Sequence, residues 1–451
     1  MRGLTSRFAL ARVSLVAATG GFLFGYDTAV INGANQFLTA YFSLSPAHEG
    51  LAAASAIIGC IPGALVAGVL SDRVGRKNVL FLCATLFLIS GVLSALPDTF
   101  WMFLAARFLG GLAIGVCSMV CPVYIGECAP AATRGRLGSL FQLGIVVGIF
   151  LTLFLNAAIQ GHGDAAWNAA YGWRYMLGSE AIPAALLLLL LCRSPESPRW
   201  LIQKNRVQEA RAILAGWMNP AGIDTELSAV RDATAGESGR FRELFEARVR
   251  RPLVIAVGLA AIAQLSGINA VMYYSTRIFT TAGVGVANAF NATVVVGLIN
   301  LVFTLVAVSL MDHAGRRPLL LVGLTAQVVS LTAVAWMFHA HSSGISVLIA
   351  ILVFIASFAL ALGPIPWLLS SEIFPAKIRG RAMSVAAFTV WVSCFLVAQT
   401  FPMLNDSPSI GPAMTFGLYA AVSFGGLLFT YFLVPETKGR TLEEIDASWS
   451  R

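Results

Sequence analysis

Two fully charged residues sit where the surrounding sequence is almost wholly apolar. Asp27 lies within 10–32 and Arg107 within 100–122, and about 20 predominantly apolar residues suffice to cross a bilayer. Ionisable groups at membrane depth are rare, usually paired, and mark ion or substrate pathways. A carboxylate beside a guanidinium can exchange a proton as its partner moves. The same pair can instead be a fixed brace between helices, although desolvation offsets the attraction of a buried pair. Four carboxamides share the setting: Gln142 in 137–159, Gln264 and Asn269 in 252–276, and Asn300 in 287–311. An amide both donates and accepts and is costly in an apolar interior without a partner. Each is therefore either bonded to a neighbouring helix or turned towards a polar ligand.

The elements that must hold these groups are apolar segments. Six are expected over 10–32, 50–70, 78–96, 100–122, 137–159 and 174–192, and six more over 252–276, 287–311, 317–338, 345–370, 382–404 and 412–434. Short charged phrases recur between them. Asp72-Arg73-Val74-Gly75-Arg76-Lys77 returns as Asp312-His313-Ala314-Gly315-Arg316-Arg317, an interval of 240. Glu127 with Arg134-Gly135-Arg136 returns 245 residues later as Glu372 with Arg379-Gly380-Arg381, and Pro195-Glu196-Ser197 returns after 240 as Pro435-Glu436-Thr437. Three anchors in one register mean two copies of one unit, the build of many secondary transporters. The expectation is an all-α integral membrane protein: an N-terminal six-helix bundle over 1–192, a linker with short helices over 193–251, a second bundle over 252–434, and a short tail over 435–451. Gly and Pro inside spans, as in Gly59-Cys60-Ile61-Pro62-Gly63 and Gly363-Pro364-Ile365-Pro366, are tolerated in a bundle whose neighbours satisfy the freed backbone groups.

Composition narrows the class. The 451 residues are 57% hydrophobic and 12% charged, against about 25% charged for ordinary soluble domains. The alternate loops and the two termini hold 27 of the 30 Lys and Arg residues. Basic loops stay cytoplasmic, so both termini and the linker are expected there. The net charge of +8 then reflects topology rather than nucleic-acid binding. The seven cysteines fall in or near apolar helices and read as small buried hydrophobes without a disulfide. His162, His313, His339 and His341 are scattered near loops and His48 stands alone, so neither a metal cluster nor a nucleophile–base pair suggests an enzyme.

Five phrases carry a family resemblance: Gly20-Gly21-Phe22-Leu23-Phe24-Gly25-Tyr26-Asp27, the Asp72–Lys77 loop, Pro195-Glu196-Ser197-Pro198-Arg199-Trp200-Leu201, the run from Gln264 to Tyr274, and Pro435-Glu436-Thr437-Lys438-Gly439-Arg440. In that order they resemble the sugar porter branch of the major facilitator superfamily almost end to end, including bacterial proton-coupled symporters and facilitative glucose transporters. The resemblance implies twelve helices in two six-helix bundles, a monosaccharide or polyol bound near the midplane, and access alternating between sides. It implies sugar contacts at Gln142, Gln264, Asn269 and Asn300, with Trp367 as a stacking platform. Phe24, Phe358 and Trp391 are implied as cavity lining, and Tyr273 and Tyr274 as an outer gate. Plain packing is the competing role for these aromatics.

The resemblance also implies sugar–proton symport through Asp27 and Arg107, with the proton as coupling ion and no other cofactor. A uniporter with a structural Asp27–Arg107 pair is the alternative, and a transporter-like nutrient receptor a remote one. Asp72, Arg76, Glu127, Arg134, Glu196, Arg316, Glu372, Arg379 and Glu436 match the family's cytoplasmic salt-bridge set, which would latch the outward-facing state. Ala263 and Val390 stand where amides are usual, and Cys394 where the glucose facilitators carry Asn. Fewer hydrogen bonds, each worth about 1 kcal/mol, imply weaker affinity or a pentose, deoxy sugar or cyclitol. The remaining expectations are a bacterial inner membrane, no nucleic-acid partner and function as a monomer.

Overall fold

The computed structural model describes residues 2–129, 134–216, 222–223, 227–228, 243–244, 246–342, 344–440 and 444. Among the described residues, twelve helices are long and apolar enough to span a membrane. Spans 1 to 6 are Ala11–Phe42, Pro46–Val74, Arg76–Ala95, Phe100–Cys128, Leu137–His162 and Ala165–Cys192. Spans 7 to 12 are Val249–Thr281, Val286–Met311, Arg316–His339, Ile345–Ile373, Ile378–Asn405 and Gly411–Leu433. Among the described residues there is no strand. The twelve expected segments are thus all present, several longer than hydropathy indicates. Span 1 runs on to Phe42 because the amides that interrupt its apolar pattern are satisfied within the protein: Asn35 donates to Glu49 (2.8 Å) and Asn32 to the Met272 carbonyl (2.7 Å). Span 6 starts early on an Asp164 cap (2.8 Å to the Trp167 N–H) and a π turn, Asn168–Gly172.

By packing, the chain forms two compact units. The first comprises Met1–Thr28, Ser55–Ile149 and Leu177–Glu237, and the second Ala29–Ala54, Phe150–Met176 and Ser238–Arg451. One cut between the units, Glu237/Ser238, falls inside the expected linker, and the others fall within spans 1, 2, 5 and 6. Parts of spans 1, 2, 5 and 6 belong to the unit built around the second repeat.

In the first unit, spans 3 and 4 pack along their length, and span 3 also meets the end of span 6. Small residues let backbones touch. A Cβ on Gly111 would run into the Ala56 carbonyl and one on Gly115 into that of Cys60, which brings spans 2 and 4 together; one on Gly25 would strike the Ile145 carbonyl on span 5. Pro62 sits inside the unbroken helix Pro46–Val74. The linker opens with two helices, Pro198–Gln203 and Val207–Leu214, separated where Asn205 takes φ 58°. Trp200, Leu201, Ala210 and Leu214 form a small apolar core with Ile223 and Leu227. Trp200 donates from its indole to the Asp72 carbonyl (3.0 Å), which fastens this core to span 2. The rest of the expected linker, up to residue 251, lies partly outside the described residues.

The second unit differs in having broken spans. Span 7 consists of Ala247–Leu265 and Ile268–Thr281, joined through Gly267 at φ 92°, where an added Cβ would also meet the Tyr419 ring. Span 10 consists of Ile345–Leu360 and Ile365–Ile373. Here Gly363-Pro364-Ile365-Pro366 interrupts the helix, unlike Gly59–Gly63. Two prolines two residues apart remove two amide donors from one turn, whereas Pro62 removes one.

Candidate transport site and gates

Asp27, Arg107 and Glu180 come from spans 1, 4 and 6 of the first unit, and each is at most 1% exposed. The Arg107 guanidinium pairs with the Asp27 carboxylate through Nη1. It also donates from Nη2 to the Asp27 carbonyl (3.1 Å) and stands 3.9 Å from Glu180 Oε2. Gly110 makes room for the pair: a Cβ there would lie 3.2 Å from Asp27 Oδ2 and closer still to Ser90 Oγ. Asp27 Oδ2 and both Glu180 oxygens are sealed from solvent without a hydrogen-bond partner. Beside them, Tyr26 and Ser179 share a hydrogen bond of 2.6 Å. Gln142 and Phe24 lie half-buried in the same unit.

The amides of the second unit gather at the break in span 7. Asn269, in the first turn after Gly267, donates to Gln264 Oε1 (2.6 Å), in the last turn before it. Gln264 Nε2 and Asn269 Oδ1 remain as a donor and an acceptor, the pair a hydroxyl can meet in both its roles. Asn300 (6% exposed) and Trp391 (8%) are buried, whereas Trp367 follows the break in span 10 and keeps 41% of its surface exposed. An accessible indole face suits stacking against a sugar ring. Phe358 packs instead on the apolar core of this unit.

Tyr273 and Tyr274, expected at a gate, are buried against span 11. The Tyr274 hydroxyl donates to the Ala398 carbonyl (2.8 Å), and its ring lies 5.0 Å from that of Phe401. The Tyr273 hydroxyl lies 3.5 Å from Cys394 Sγ. At Tyr274 the backbone leaves helical geometry (φ −132°, ψ 15°). Asn32 of span 1 covers this kink. Its Nδ2 donates to the Met272 carbonyl and to Ser275 Oγ, both at 2.7 Å, and its Oδ1 accepts from Thr276 Oγ1 at 2.8 Å.

The duplicated charged phrases build one constellation in each unit. In the first, Arg76 donates to Glu127 (3.0 Å) and the Ser71 carbonyl (3.1 Å) and pairs with Asp72 (3.0 Å), while Glu196 accepts from the Lys77 N–H (3.0 Å). In the second, Arg316 donates to Glu372 (2.9 Å) and the Met311 carbonyl (3.0 Å), while Glu436 accepts from the Arg316 and Arg317 N–H groups (3.1 Å each). Arg379 donates to the Phe374 carbonyl (3.1 Å) rather than to a carboxylate. Arg134 opens the helix of span 5, with its side chain outside the described residues. Burial raises the Glu436 carboxyl, but the N–H groups of Lys438, Arg316, Arg317 and Thr437 outweigh it and hold the group below the usual carboxylate range.

The family model described as "Sugar (and other) transporter" matches residues 13–449. The chain belongs to this family. It is similar to the arabinose-proton symporter of Bacillus subtilis (strain 168), 39% identical over 439 residues that cover 97% of this chain and 94% of the relative. The D-xylose-proton symporter of Escherichia coli (strain K12) is 38% identical over 469 residues, covering 97% and 95%. Among solved structures, the inward open conformation of the xylose transporter XylE from E. coli matches with a TM-score of 0.87 at 36% identity, over 98% of this chain and all of that one.

Two residues of this sugar transporter stand outside the paired charges and the family phrases. Glu180 lies inside the expected span 174–192, and an acid at that depth was itself a signal. Asn32 closes the apolar run 10–32, but its partners are some 240 residues away, and nothing local announces them.

Proposed function

We propose that this membrane protein imports a monosaccharide, specifically a pentose, together with a proton by alternating access. One observation carries the coupling: a single guanidinium lies between two sealed carboxylates, those of Asp27 and Glu180. Arg107 balances one of them. The other is neutral only with a proton on it, and a passive brace needs no second acid. Relatives named arabinose-proton and D-xylose-proton symporters support the same coupling. Ala263 and Val390 in place of amides favour a sugar with fewer hydroxyls than a hexose. Gln142, Gln264, Asn269 and Asn300 would bond that sugar, Trp367 would stack on it, and Phe24 and Trp391 would border it. Tyr273 and Tyr274, held by Asn32 and span 11, would close one side. The cytoplasmic acids and bases would lock the helix ends while the cytoplasmic side is shut, in the outward-facing state.

The proton is the coupling ion in this reading, with no further cofactor and no chemical step on the sugar. The positive-inside rule puts both termini and the linker in the cytoplasm, and the bacterial relatives support an inner-membrane setting for a working monomer. The test is uptake of labelled D-xylose and arabinose by proteoliposomes under an imposed pH gradient. Uphill accumulation is expected, abolished by a protonophore, and Asp27→Asn should lose accumulation yet keep sugar exchange. Uptake indifferent to the gradient and to Asp27→Asn would overturn coupling and leave a uniporter.

A further inference from the structure

A cavity of about 240 Å³ lies in the second unit between the late part of span 1, the start of span 2 and span 7, with Asn35, Gln36, Thr39, Glu49, Tyr274 and Arg277 among its lining. It sits at the end of span 2 opposite Asp72. Along span 7, Arg277 is 13 residues beyond Gln264, roughly 20 Å at helical rise, so this is a different place from the amide pair.

Its wall combines two sets of groups. The charges are already matched to one another. Arg277 pairs with Glu49 through Nη1 and with both Asp406 oxygens through Nη2 (2.6 Å each), and Asn35 Nδ2 donates to the remaining Glu49 oxygen (2.8 Å). Every carboxylate oxygen in the cluster therefore accepts a hydrogen bond. The neutral groups are not matched. Asn35 Oδ1, Gln36 Nε2 and Thr39 Oγ1 are sealed polar atoms without a partner, and Asn35 is 3% exposed. Such atoms are rare and carry a desolvation cost until something meets them. An acceptor, a donor and a hydroxyl beside a tyrosine ring suit a neutral polyhydroxyl ligand better than an ion. The volume falls just below the roughly 300–1,000 Å³ of pockets for drug-sized molecules, which is the scale of one sugar ring.

We infer that this cavity is a second monosaccharide site, occupied before the sugar passes Tyr273 and Tyr274 to reach Gln264 and Asn269. The inference rests on the sugar-transport reading. Its ligand is the transported sugar itself, held by Gln36 and Thr39 above the gate, with the Glu49–Arg277–Asp406 cluster fixing the wall.

The test uses the full chain with D-xylose as probe, by ligand-observed saturation-transfer NMR in detergent and by uptake kinetics in proteoliposomes. Saturation transfer should persist in a Gln264→Ala/Trp367→Ala background and disappear when Gln36→Leu and Thr39→Val are added. In the otherwise unmodified chain, Gln36→Leu should raise KM about fivefold, the size of one neutral hydrogen bond, with kcat unchanged. Loss of the NMR signal with the Gln264 and Trp367 substitutions alone, or an unchanged KM in Gln36→Leu, would overturn the site and leave a cavity filled with water. A signal displaced by sodium or potassium chloride rather than by a second sugar would overturn it in favour of a cation site. Failure of the unmodified protein to take up any sugar would remove the transport reading and this site together. Normal uptake without the second signal would remove only the site.

Discussion

Around Gly75 and around Gly315 the chain makes one constellation twice, whereas at membrane depth its two repeats have little in common. The charged ends share their main bonds: Arg76 with Glu127 against Arg316 with Glu372, and Glu196 against Glu436 at the starts of spans 3 and 9. Inside the membrane the correspondence fails. None of the residues 240 to 245 positions after Asp27, Arg107 or Glu180 is ionisable. The first repeat carries its charges on spans 1, 4 and 6, with glycines drawing neighbouring backbones into contact. The second carries amides at the broken turn of span 7 and an exposed indole, Trp367, after that of span 10. What is duplicated is a set of bonds at the helix ends. What has diverged is the interior, with buried charges in one repeat and amides in the other.

The largest expected effect breaks that division directly. Arg107→Leu leaves Asp27 and Glu180 sealed without a cation, and removing one partner of a buried pair costs about 3–5 kcal/mol. Asn300→Leu, an interior polar change of the second repeat, should cost only ~1 kcal/mol. Thermal unfolding in detergent compares the two. A Tm for Arg107→Leu no lower than that for Asn300→Leu would mean that the charges are not where the first repeat concentrates its risk.

Next comes the equivalence of the charged ends. Gly75 (φ 101°, ψ 154°) and Gly315 (φ 90°, ψ 164°) occupy a backbone region open essentially to glycine. A Cβ at Gly75 would strike the Glu196 carboxylate, and one at Gly315 the Glu436 carboxylate. Gly75→Ala and Gly315→Ala should each cost about 1–3 kcal/mol, with Tm losses of similar size. A variant that tolerates one and not the other would show that the two constellations are unequal despite their shared bonds.

Much of this architecture was legible in the sequence because it follows from hydropathy and repetition. Twelve apolar runs gave twelve spans, and the repeated phrases located both charged constellations. What could not be read depends on contacts between distant segments. In the sequence Asp27 and Arg107 already make a balanced pair, and only the packing of span 6 beside spans 1 and 4 brings in the third charge, Glu180. Asn32 looked like the edge of a span, because nothing in 10–32 indicates that a kink at Tyr274 needs its amide. Gly363–Pro366 and Gly59–Gly63 look alike as Gly/Pro phrases inside apolar runs. The second proline separates the two cases, and with it the exposed setting of Trp367.

A smaller change sharpens the ligand side of the comparison. Gln264→Leu removes the acceptor of the Asn269 amide (2.6 Å) as well as a potential sugar contact. The stranded partner adds to the loss, so about 1–3 kcal/mol is expected, read as a rise in KM with little change in Tm. Asn269→Ala in the Gln264→Leu background should then cost less than Asn269→Ala alone, as residues in one bond require. Additive losses would mean that the two amides act separately.

The smallest effect separates the two constellations. Glu436 accepts N–H groups from Arg316, Arg317, Thr437 and Lys438, whereas Glu196 accepts those of Lys77 and Ser197. The Glu436 carboxyl is held below its ordinary range, so its folded-state pKa lies under the unfolded value of about 4.3. Its contribution is therefore complete above that value and is lost as pH falls through the folded one. Glu436→Gln keeps the shape but not the charge at the start of span 9, where a carboxylate is worth about 0.3–1 kcal/mol. At neutral pH the substitution should lower Tm slightly. As pH falls through the folded-state pKa the variant and the unmodified chain should converge, because protonation removes the charge from the latter. A Tm difference that stays constant across that fall would mean that Glu436 acts through packing, and that its four N–H partners do not distinguish the second constellation from the first.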